Sequence, residues 1–255
     1  MVDAKERRIA RFTVVAPTYN NALTLLDILE RIDASGLPAI VVNDGSSDAT
    51  ADILASWARR HEPPAFSCVT HEHNRGKAAA LRTGFKRAME LCFTHAVTID
   101  TDGQLDPEQI RDLVAAAEAH PHALIIGTRD DTRPDYPGRS KMGRRLSNFA
   151  IRMASGVSVA DSQCGFRVYP LEATQLPCRA RHFGWEAEII TRAAWAGYGI
   201  VNVPVKCRYF QDDRRVSHLN PWRETARGIL LHARLIFTRL LLPARTHLFG
   251  RDARR

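Results

Sequence analysis

The sequence predicts an α/β fold in which a mostly parallel central sheet is flanked by helices. Short apolar runs of β type alternate with amphipathic helical stretches through the first half of the 255 residues. The spacing between successive runs leaves room for a helical crossover, which parallel strands require. A hydrophobic content of 45% is enough for one large core. Such a sheet binds ligands beyond the carboxyl ends of its strands, so the residues that follow each strand are the candidate site residues.

Five strands and four helices are predicted in this half, in strict alternation. The strands are apolar runs of four or five residues at 12–16, 39–43, 66–70, 96–100 and 124–127. The helices have apolar residues at helical spacing and lie at 22–34, 49–60, 77–91 and 107–120. The alternation implies right-handed crossovers and helices on both faces of the sheet.

The second half contains three further helical stretches. A basic stretch covers 138–156, a helix begins near Trp185, and an amphipathic helix covers 221–242, where Pro243 ends it. We therefore expect a catalytic domain over 1–215 and a basic C-terminal amphipathic helix and tail over 216–255.

Composition narrows the classes of protein. The five cysteines include no Cys-x-x-Cys pair, which argues for a reducing compartment and against a zinc site or a disulfide framework. Residues 1–11 are charged and lack the apolar core of a signal peptide, and no run reaches the roughly 18 apolar residues of a membrane span. Residues 206–255 carry twelve Lys or Arg and four Asp or Glu, whereas residues 1–205 carry 24 of each sign. Residues 1–205 have no net charge, so only the basic tail suggests nucleic-acid binding. We therefore expect no nucleic-acid partner.

Asp100 and Asp102 follow the fourth strand, with Gln104 just beyond them. Alternate residues of a strand share a face, so both carboxylates can point the same way. Two nearby carboxylates repel each other unless a cation lies between them, and oxygen ligands suit Mg²⁺ or Mn²⁺. Such ions take further ligands from water and from substrate phosphates. The alternative is an acidic β-turn, because Asp-x-Asp is common by chance.

Polar residues follow the other strands as well. Asp48 is explained as a helix N-cap, but Asp44 is not, and a carboxylate at a strand end can accept hydrogen bonds from a base or a ribose. Lys77 and Arg129 either neutralise phosphates or are solvated surface cations.

Four motifs occur in order along the chain. They are VAPTYNN at 15–21, VNDGSSD at 42–48, DTDGQ at 100–104 and DSQCGFR at 161–167. In order and spacing they resemble family 2 glycosyltransferases with the GT-A fold. The last motif is similar to the branch of dolichyl-phosphate mannose synthases and bacterial polyprenyl-phosphate sugar transferases. The resemblance covers roughly 10–220, and four ordered motifs are far more specific than any one of them.

The resemblance implies roles for the matching residues. The implied metal ligands are Asp102 and Gln104, with Asp100 beside them, and the metal would be bound to the donor's diphosphate. The implied donor-binding residues are Pro17, Tyr19, Asn21, Asp44, Lys77, Asp100, Thr101, Arg129, Arg214, Arg215 and Ser217. Either Arg214 or Arg215, with Ser217, would close over the diphosphate. Asn21 and His218 depart from the family, which often has an acidic residue and a lysine at these two places.

Family 2 enzymes are implied to invert the anomeric centre by direct displacement. A hydroxyl acceptor must lose its proton to a carboxylate, whereas a lipid phosphate is already an anionic nucleophile. Asp161 is the first candidate for a base or an acceptor-orienting group, and Glu186 or Glu188 is the second. The alternative for each glutamate is a place on one face of the helix near Trp185.

Two basic helical stretches bear on the acceptor. The cations of 138–156 either meet a lipid phosphate or form a solvated helix face; they are Arg139, Lys141, Arg144, Arg145 and Arg152. In the C-terminal helix an apolar stripe opposes a basic face that Leu231 interrupts. The stripe is Trp222, Ala226, Ile229, Ala233, Ile236, Phe237 and Leu240, and the opposite face is Arg223, Arg227, Arg234 and Thr238. This pattern suits a membrane interface, and packing on the catalytic domain is the alternative.

We therefore expect a metal-dependent, inverting glycosyltransferase that uses Mg²⁺ or Mn²⁺ and a UDP- or GDP-sugar. Its expected acceptor is a lipid or lipid phosphate such as polyprenyl phosphate. Its expected location is cytoplasmic, peripheral on the cytoplasmic face of a membrane. The alternatives are transfer to a hydroxyl of a glycolipid or polysaccharide precursor, a sugar-nucleotide pyrophosphorylase, and a nucleic-acid-binding module. The sequence leaves the oligomeric state open.

Overall fold

The computed structural model describes residues 10–61, 63–132, 138–180, 184–209 and 221–241. For 138–140 and 221–226 it describes the backbone only.

The described chain forms seven strands and seven α-helices. The strands are β1 (Phe12–Thr18), β2 (Ala39–Asn43), β3 (Phe66–Thr70), β4 (His95–Thr98), β5 (Ala123–Arg129), β6 (Arg167–Pro170) and β7 (Gly199–Val205). The helices are α1 (Ala22–Asp33), α2 (Thr50–Ala58), α3 (Lys77–Glu90), α4 (Ile110–Ala119), α5 (Gly138–Ser155), α6 (Gly184–Trp195) and α7 (Pro221–Leu241). Short 3₁₀ turns lie at Pro107–Gln109 and Ala173–Gln175.

All seven strands belong to one sheet, in the order β3-β2-β1-β4-β6-β5-β7. Every pairing is parallel except those of β6, which runs antiparallel to β4 and β5. Thr98, the last residue of β4, is opposite Arg167, the first residue of β6. The segment that leads into β6 therefore lies at the sheet edge where Asp100 follows β4, which brings two distant motifs together.

Helices cover both faces of the sheet, as the alternation predicts. Val14 packs into a core layer with side chains of α1, α2 and α4, while its neighbour Val15 packs into a second layer with α3, α5, α6 and α7. This alternation follows from the two-residue period of a strand and buries both faces of the sheet.

The five predicted strands and the seven predicted helical stretches are all present. The bounds of β2 and β3 agree with the prediction, whereas β4 ends at Thr98 rather than at residue 100. Two strands, β6 and β7, were not predicted. The edge strand β7 contains Gly199 and Pro204, and residues of these types disfavour a strand reading in a sequence.

Helix α7 packs on the protein along one face and exposes large apolar side chains elsewhere. Leu231 and Leu235 are buried against the second core layer, so Leu231 marks the packed face of the helix and does not interrupt a solvated polar face as predicted. Ile229, Phe237 and Leu240 are more than half exposed. Among the described helices, none is both long enough and apolar enough to cross a membrane.

Candidate active site

Thr101 anchors the turn that carries the two aspartates. Its side chain is buried, and its Oγ1 donates to the Pro17 carbonyl at 3.3 Å and accepts from Asn21 Nδ2 at 2.8 Å. Thr24 Oγ1 donates to the Thr101 carbonyl at 2.6 Å. With Thr101 turned into the protein, Asp100 and Asp102 on either side of it both line one small cleft. The structure therefore gives Asn21 and Thr101 the role of fixing the turn, and their donor contacts stay predictions.

Asp102 and Gln104 shape the far side of this turn. The backbone amide of Gln104 donates to Asp102 Oδ1 at 3.0 Å. Gly103 in this tight turn has a φ of +77°, a conformation that favours glycine. A small cleft is lined by Asp100, Asp102 and Gln104 together with Arg129. Asp102 is exposed, whereas Gln104 is buried.

The donor set of this cleft fits Mg²⁺ or Mn²⁺. It consists of carboxylate and amide oxygens, which are the ligands that these hard cations prefer. Within the described part of the chain, no three His, Cys, Asp or Glu side chains cluster closely enough to hold a metal. A cation held by two carboxylates and one amide needs further ligands from water or a substrate, which is how Mg²⁺ is usually bound beside phosphates.

Lys77 lies between the carboxylates of Asp100 and the buried Glu186. Its Nζ lies 2.7 Å from Asp100 Oδ1 and 3.4 Å from Glu186 Oε2. Burial lowers the pKa of Lys77, but the charges of Asp100 and Glu186 outweigh it, so that the pKa is raised overall. Lys77 is thus a charged, paired lysine and not the solvated surface cation that the sequence left open.

Gly165 explains why the Asp100–Lys77 pair can lie against the chain that leads into β6. A Cβ atom at this position would overlap the Asp100 carboxylate and would lie 2.8 Å from Lys77 Nζ. Gly165 belongs to the motif at 161–167, but no pattern in the sequence distinguishes it as a site residue. Only the pairing of β6 with β4 shows which residue this glycine must approach.

Asp161 is fully buried and bridges two arginines. Arg129 donates to its carboxylate from Nε at 2.8 Å and from Nη2 at 3.1 Å, and Arg144 donates from Nη1 at 3.2 Å. Burial raises the pKa of Asp161, but the bonds and charges of Arg129 and Arg144 outweigh burial and hold the pKa below its usual value. Of the two predicted roles, this arrangement fits an orienting group. It does not fit a base, because the carboxylate is closed off and stabilised in its ionised form.

The basic face of α5 is smaller than its sequence suggests. Arg144 also pairs with Asp131, and Lys141 Nζ donates to the Asp131 carbonyl at 2.9 Å. Arg144 is therefore not available for a lipid phosphate, contrary to one reading of the sequence. Arg145 and Arg152 remain exposed.

Glu186 and Glu188 both lie on the predicted helix, α6, and they face different partners. Glu186 is directed at Lys77, whereas Glu188 is fully buried and pairs with Arg192 at 2.8 Å and with Arg234 of α7 at 2.9 Å. Residues two apart on a helix point in nearly opposite directions, which accounts for the separation. Glu188 thus ties α6 to α7 and lies outside the cleft.

Asp44 lies at the end of β2, and its carboxylate is buried. It accepts hydrogen bonds from His71 Nδ1 at 2.7 Å and from the amides of Arg75 and Gly76 at 2.9 and 2.7 Å. These bonds hold the start of α3, and with it Lys77, at the site. A contact between Asp44 and a nucleotide stays a prediction.

Asp48 differs in detail from its expected role. The N-cap of α2 is Ala49, and Asp48 accepts from the amide of Thr50 at 3.0 Å and from that of Ala22 at 3.1 Å. One carboxylate therefore serves the first turns of two helices.

Of the remaining predicted residues, Pro17 and Tyr19 are described and three others are not. Pro17 is buried in β1, and Tyr19 is half-buried just beyond that strand. Arg214, Arg215 and Ser217 lie outside the described residues. Before them, Cys207 pairs with Leu105 in a β-bridge, and the Arg208 amide donates to the Gln104 carbonyl at 2.8 Å. Residues 207 and 208 therefore lie directly beside the candidate metal ligand Gln104.

Comparison with known proteins identifies the family of this chain. The model of glycosyl transferase family 2 matches residues 13–176. An undecaprenyl-phosphate 4-deoxy-4-formamido-L-arabinose transferase of Pseudomonas savastanoi pv. phaseolicola is 33% identical over 178 residues, which are 66% of this chain and 50% of that protein. The transferase of the same description from Pseudomonas fluorescens is 33% identical over 164 residues, or 62% and 46% of the two chains. The chain thus spans about half the length of these curated relatives.

Solved structures support the fold. Mannosyl-3-phosphoglycerate synthase from Rubrobacter xylanophilus superposes with a TM-score of 0.63 at 17% identity, over 92% of this chain and 75% of that one. Glucosyl-3-phosphoglycerate synthase from Mycobacterium tuberculosis, in complex with Mn²⁺, UDP-glucose and phosphoglyceric acid, superposes with a TM-score of 0.62 at 20% identity, over 90% and 79%. The fold is therefore GT-A, as the sequence predicts. With its matching family model and the carboxylate cleft at the end of β4, the chain belongs to glycosyl transferase family 2.

Proposed function

We propose that this glycosyltransferase is metal-dependent and inverting, and that it moves a sugar from a nucleoside diphosphate to a polyprenyl phosphate. The observation that carries the proposal is the cleft where Asp100, Asp102 and Gln104 meet Arg129. The cleft offers oxygen ligands for a cation and a guanidinium for a phosphate within one small space. The curated relatives support the acceptor, since they are described as undecaprenyl-phosphate 4-deoxy-4-formamido-L-arabinose transferases.

Asp102, Gln104 and Asp100 would hold Mg²⁺ or Mn²⁺ together with the donor diphosphate. When bound, the ion would stabilise the negative charge that develops on the departing diphosphate. The M. tuberculosis neighbour was crystallised with Mn²⁺ and UDP-glucose, which supports a divalent ion and a UDP-sugar here. Arg129 is held by Asp161 with its guanidinium plane fixed, so that it is oriented before the donor arrives.

The burial of the candidate bases favours a phosphate over a hydroxyl as acceptor. A hydroxyl has to lose a proton as it attacks, so it needs an accessible carboxylate. Asp161 is closed off between Arg129 and Arg144, and Glu186 is buried against Lys77. A lipid phosphate is already an anion and needs no base. This matches a site in which Asp161 is paired with two arginines and Glu186 lies against Lys77.

A lipid acceptor requires access to a membrane, and α5 and α7 offer a surface for it. Eleven large apolar side chains of the described residues are exposed, and nine of them lie on these two helices. The nine are Met142, Leu146, Phe149 and Met153 on α5, and Ile229, Leu230, Phe237, Leu240 and Leu241 on α7. The helices are neighbours, since Arg239 Nη1 of α7 donates to the Met153 carbonyl of α5 at 2.9 Å. We call these nine side chains the α5–α7 apolar surface.

Exposed cations accompany the apolar surface. Arg145 and Arg152 lie on α5 and Arg227 lies on α7. An apolar surface edged by arginines matches an anionic leaflet, where each cation near the surface adds on the order of 1 kcal/mol. We therefore propose that this surface lies on the cytoplasmic leaflet of a membrane, with the enzyme attached peripherally.

The experiment that tests the proposed function follows product mass. The protein is incubated with Mn²⁺, a panel of nucleotide sugars, and either polyprenyl phosphate or extracted lipids. The proposal predicts a glycosyl polyprenyl phosphate with at least one donor. Sugar transfer only to water, or only to a lipid hydroxyl, would contradict the proposed acceptor.

A further inference from the structure

The ammonium group of Lys77 is shared by two carboxylates from different parts of the fold. Lys77 is the first residue of α3, Asp100 follows β4, and Glu186 lies in the first turn of α6. Nζ is 2.7 Å from Asp100 Oδ1 and 3.4 Å from Glu186 Oε2. The two distances differ by only 0.7 Å (3.4 minus 2.7 Å), so a small rotation of the lysine side chain can exchange its nearer partner.

Glu186 has unused capacity to accept this ammonium. Its Oε1 is buried and has no hydrogen-bond partner among the described residues. The guanidinium of Arg167 is 3.9 Å away, but its nitrogens donate to Tyr169 Oη and to backbone carbonyls, such as that of Cys164 at 2.7 Å. A buried carboxylate oxygen without a hydrogen-bond donor destabilises the folded protein. The presence of Glu186 Oε1 in this state beside Lys77 therefore suggests a functional role.

The backbone around the three side chains is fixed. The Gly76 amide, directly before Lys77, donates to the buried Asp44 carboxylate, and Gly165 leaves no space on the other side of Asp100. The lysine side chain can therefore adjust against a fixed backbone when a ligand reaches Asp100.

A divalent cation and the ammonium of Lys77 compete for Asp100. They carry like charges and would repel each other strongly if both bound one carboxylate in a partly buried site. We propose that Lys77 moves from Asp100 to Glu186 when the metal and diphosphate bind, so that Glu186 is a positioning residue that makes Asp100 available. This inference rests on the proposed function, and it assigns Glu186 a role other than that of a base.

Binding of Mn²⁺ alone, measured by electron paramagnetic resonance of the free ion, tests the exchange. Glu186→Gln removes the second anion, so Lys77 stays on Asp100 and Mn²⁺ affinity should fall by about tenfold, within the usual range of such couplings. Lys77→Met removes the competitor, so Mn²⁺ affinity should rise by a similar factor. Glu90→Gln, on the exposed end of α3, is the matched control and should bind as the wild type does.

Turnover gives a second readout. The transfer rate of Glu186→Gln should return towards the wild-type rate at saturating Mn²⁺, because only the availability of Asp100 is impaired. Glu186→Asp keeps the charge and should need less Mn²⁺ than Glu186→Gln. Thermal melting of each variant identifies any loss of folding.

Two results would overturn the exchange while the proposed function stands. One is a Glu186→Gln variant that binds Mn²⁺ normally yet stays inactive at saturating Mn²⁺, as expected of a base. The other is weaker Mn²⁺ binding by Lys77→Met, which would make Lys77 a fixed support of Asp100. Absence of Mn²⁺ binding and of metal-dependent transfer in the wild type would instead contradict the proposed metal dependence, and the exchange with it.

Discussion

Arg144 Nη1 donates to Asp161 Oδ2 at 3.2 Å, and this bond joins helix α5, which carries part of the α5–α7 apolar surface, to the candidate active site. The same carboxylate holds Arg129, which lines the cleft beside Asp100 and Asp102. Asp161 therefore couples the placement of α5 to the orientation of Arg129.

Asp161→Asn should destabilise the protein. The change removes the carboxylate that Arg129 and Arg144 share, while Arg144 keeps its pair with Asp131, and removal of one partner of a buried pair costs about 3–5 kcal/mol. Urea unfolding measures the loss, and Asp112→Asn on the exposed side of α4 is the control. An unchanged midpoint for Asp161→Asn would show that the two arginines do not depend on this carboxylate.

The same residue predicts an acid dependence of stability. The pKa of Asp161 is lowered in the folded state by Arg129 and Arg144 against the effect of burial, so the unfolded state binds the proton more readily. Its contribution to the free energy of unfolding is fully present above the unfolded value of 3.8 and is lost as the pH falls through the lower folded pKa. The difference in stability between wild type and Asp161→Asn should therefore shrink below about pH 4. A constant difference down to pH 2 would contradict this account.

Gly165→Ala should impair turnover. The added methyl group overlaps the Asp100 carboxylate and displaces Lys77, and a misplacement of about 1 Å at a catalytic site can cost about 100-fold in rate. Gly228→Ala in α7 is the matched control, because a Cβ at that position meets nothing within 4 Å. Within a helix that control should add about 0.5–1 kcal/mol of stability. Transfer within twofold of wild type by Gly165→Ala would refute the close packing of this glycine on Asp100.

Leu146→Ser and Phe149→Ser should weaken binding to vesicles of anionic phospholipid. Burial of a large apolar side chain contributes about 1.5–3 kcal/mol, so each change should reduce partitioning by roughly tenfold or more. Leu23→Ser is the control, because Leu23 is 92% exposed but lies on α1, away from the α5–α7 apolar surface. Vesicle sedimentation measures the effect. Equal losses for all three variants, or none for any, would mean that this surface does not contact the membrane.

His232 predicts a second pH dependence, near neutrality, in the packing of α7 on α5. Burial lowers the pKa of His232, whose Nε2 lies 3.3 Å from Ser147 Oγ. Because the folded pKa lies below the unfolded value of 6.5, stability is greatest above that pH and falls as the pH drops below it. Urea unfolding at pH 7.5 and 5.5 measures the change. His232→Gln should reduce this pH dependence, whereas the exposed His120→Gln should not.

The alternation of strands and helices could be predicted because local patterns encode it. Apolar runs and helical periodicity identify β1 to β5 and α1 to α4 with bounds within a few residues. Strand β6 begins with Arg167, which is buried although a charged residue in a sequence usually indicates an exposed position. The antiparallel place of β6 between β4 and β5 depends on contacts between residues far apart in the sequence.

The candidate site was predictable in its residue types and less so in their roles. The places of Asp44, Asp100 and Asp161 follow from strand ends and motifs. Whether each carboxylate faces the cleft or the interior depends on partners far along the chain, such as His71 for Asp44 and Arg129 for Asp161. Sequence alone therefore overstated how many of these groups are free to meet a substrate.

The metal role of Asp102 is tested by comparing wild type with Asp102→Ala in the transfer assay with polyprenyl phosphate, Mn²⁺ and the active nucleotide sugar. The variant should lose Mn²⁺-dependent donor binding, and its transfer rate should fall by at least about 1000-fold, because charge on the leaving diphosphate is no longer stabilised. Asp112→Ala should transfer as the wild type does. Near-normal transfer by Asp102→Ala would contradict the metal role of the cleft.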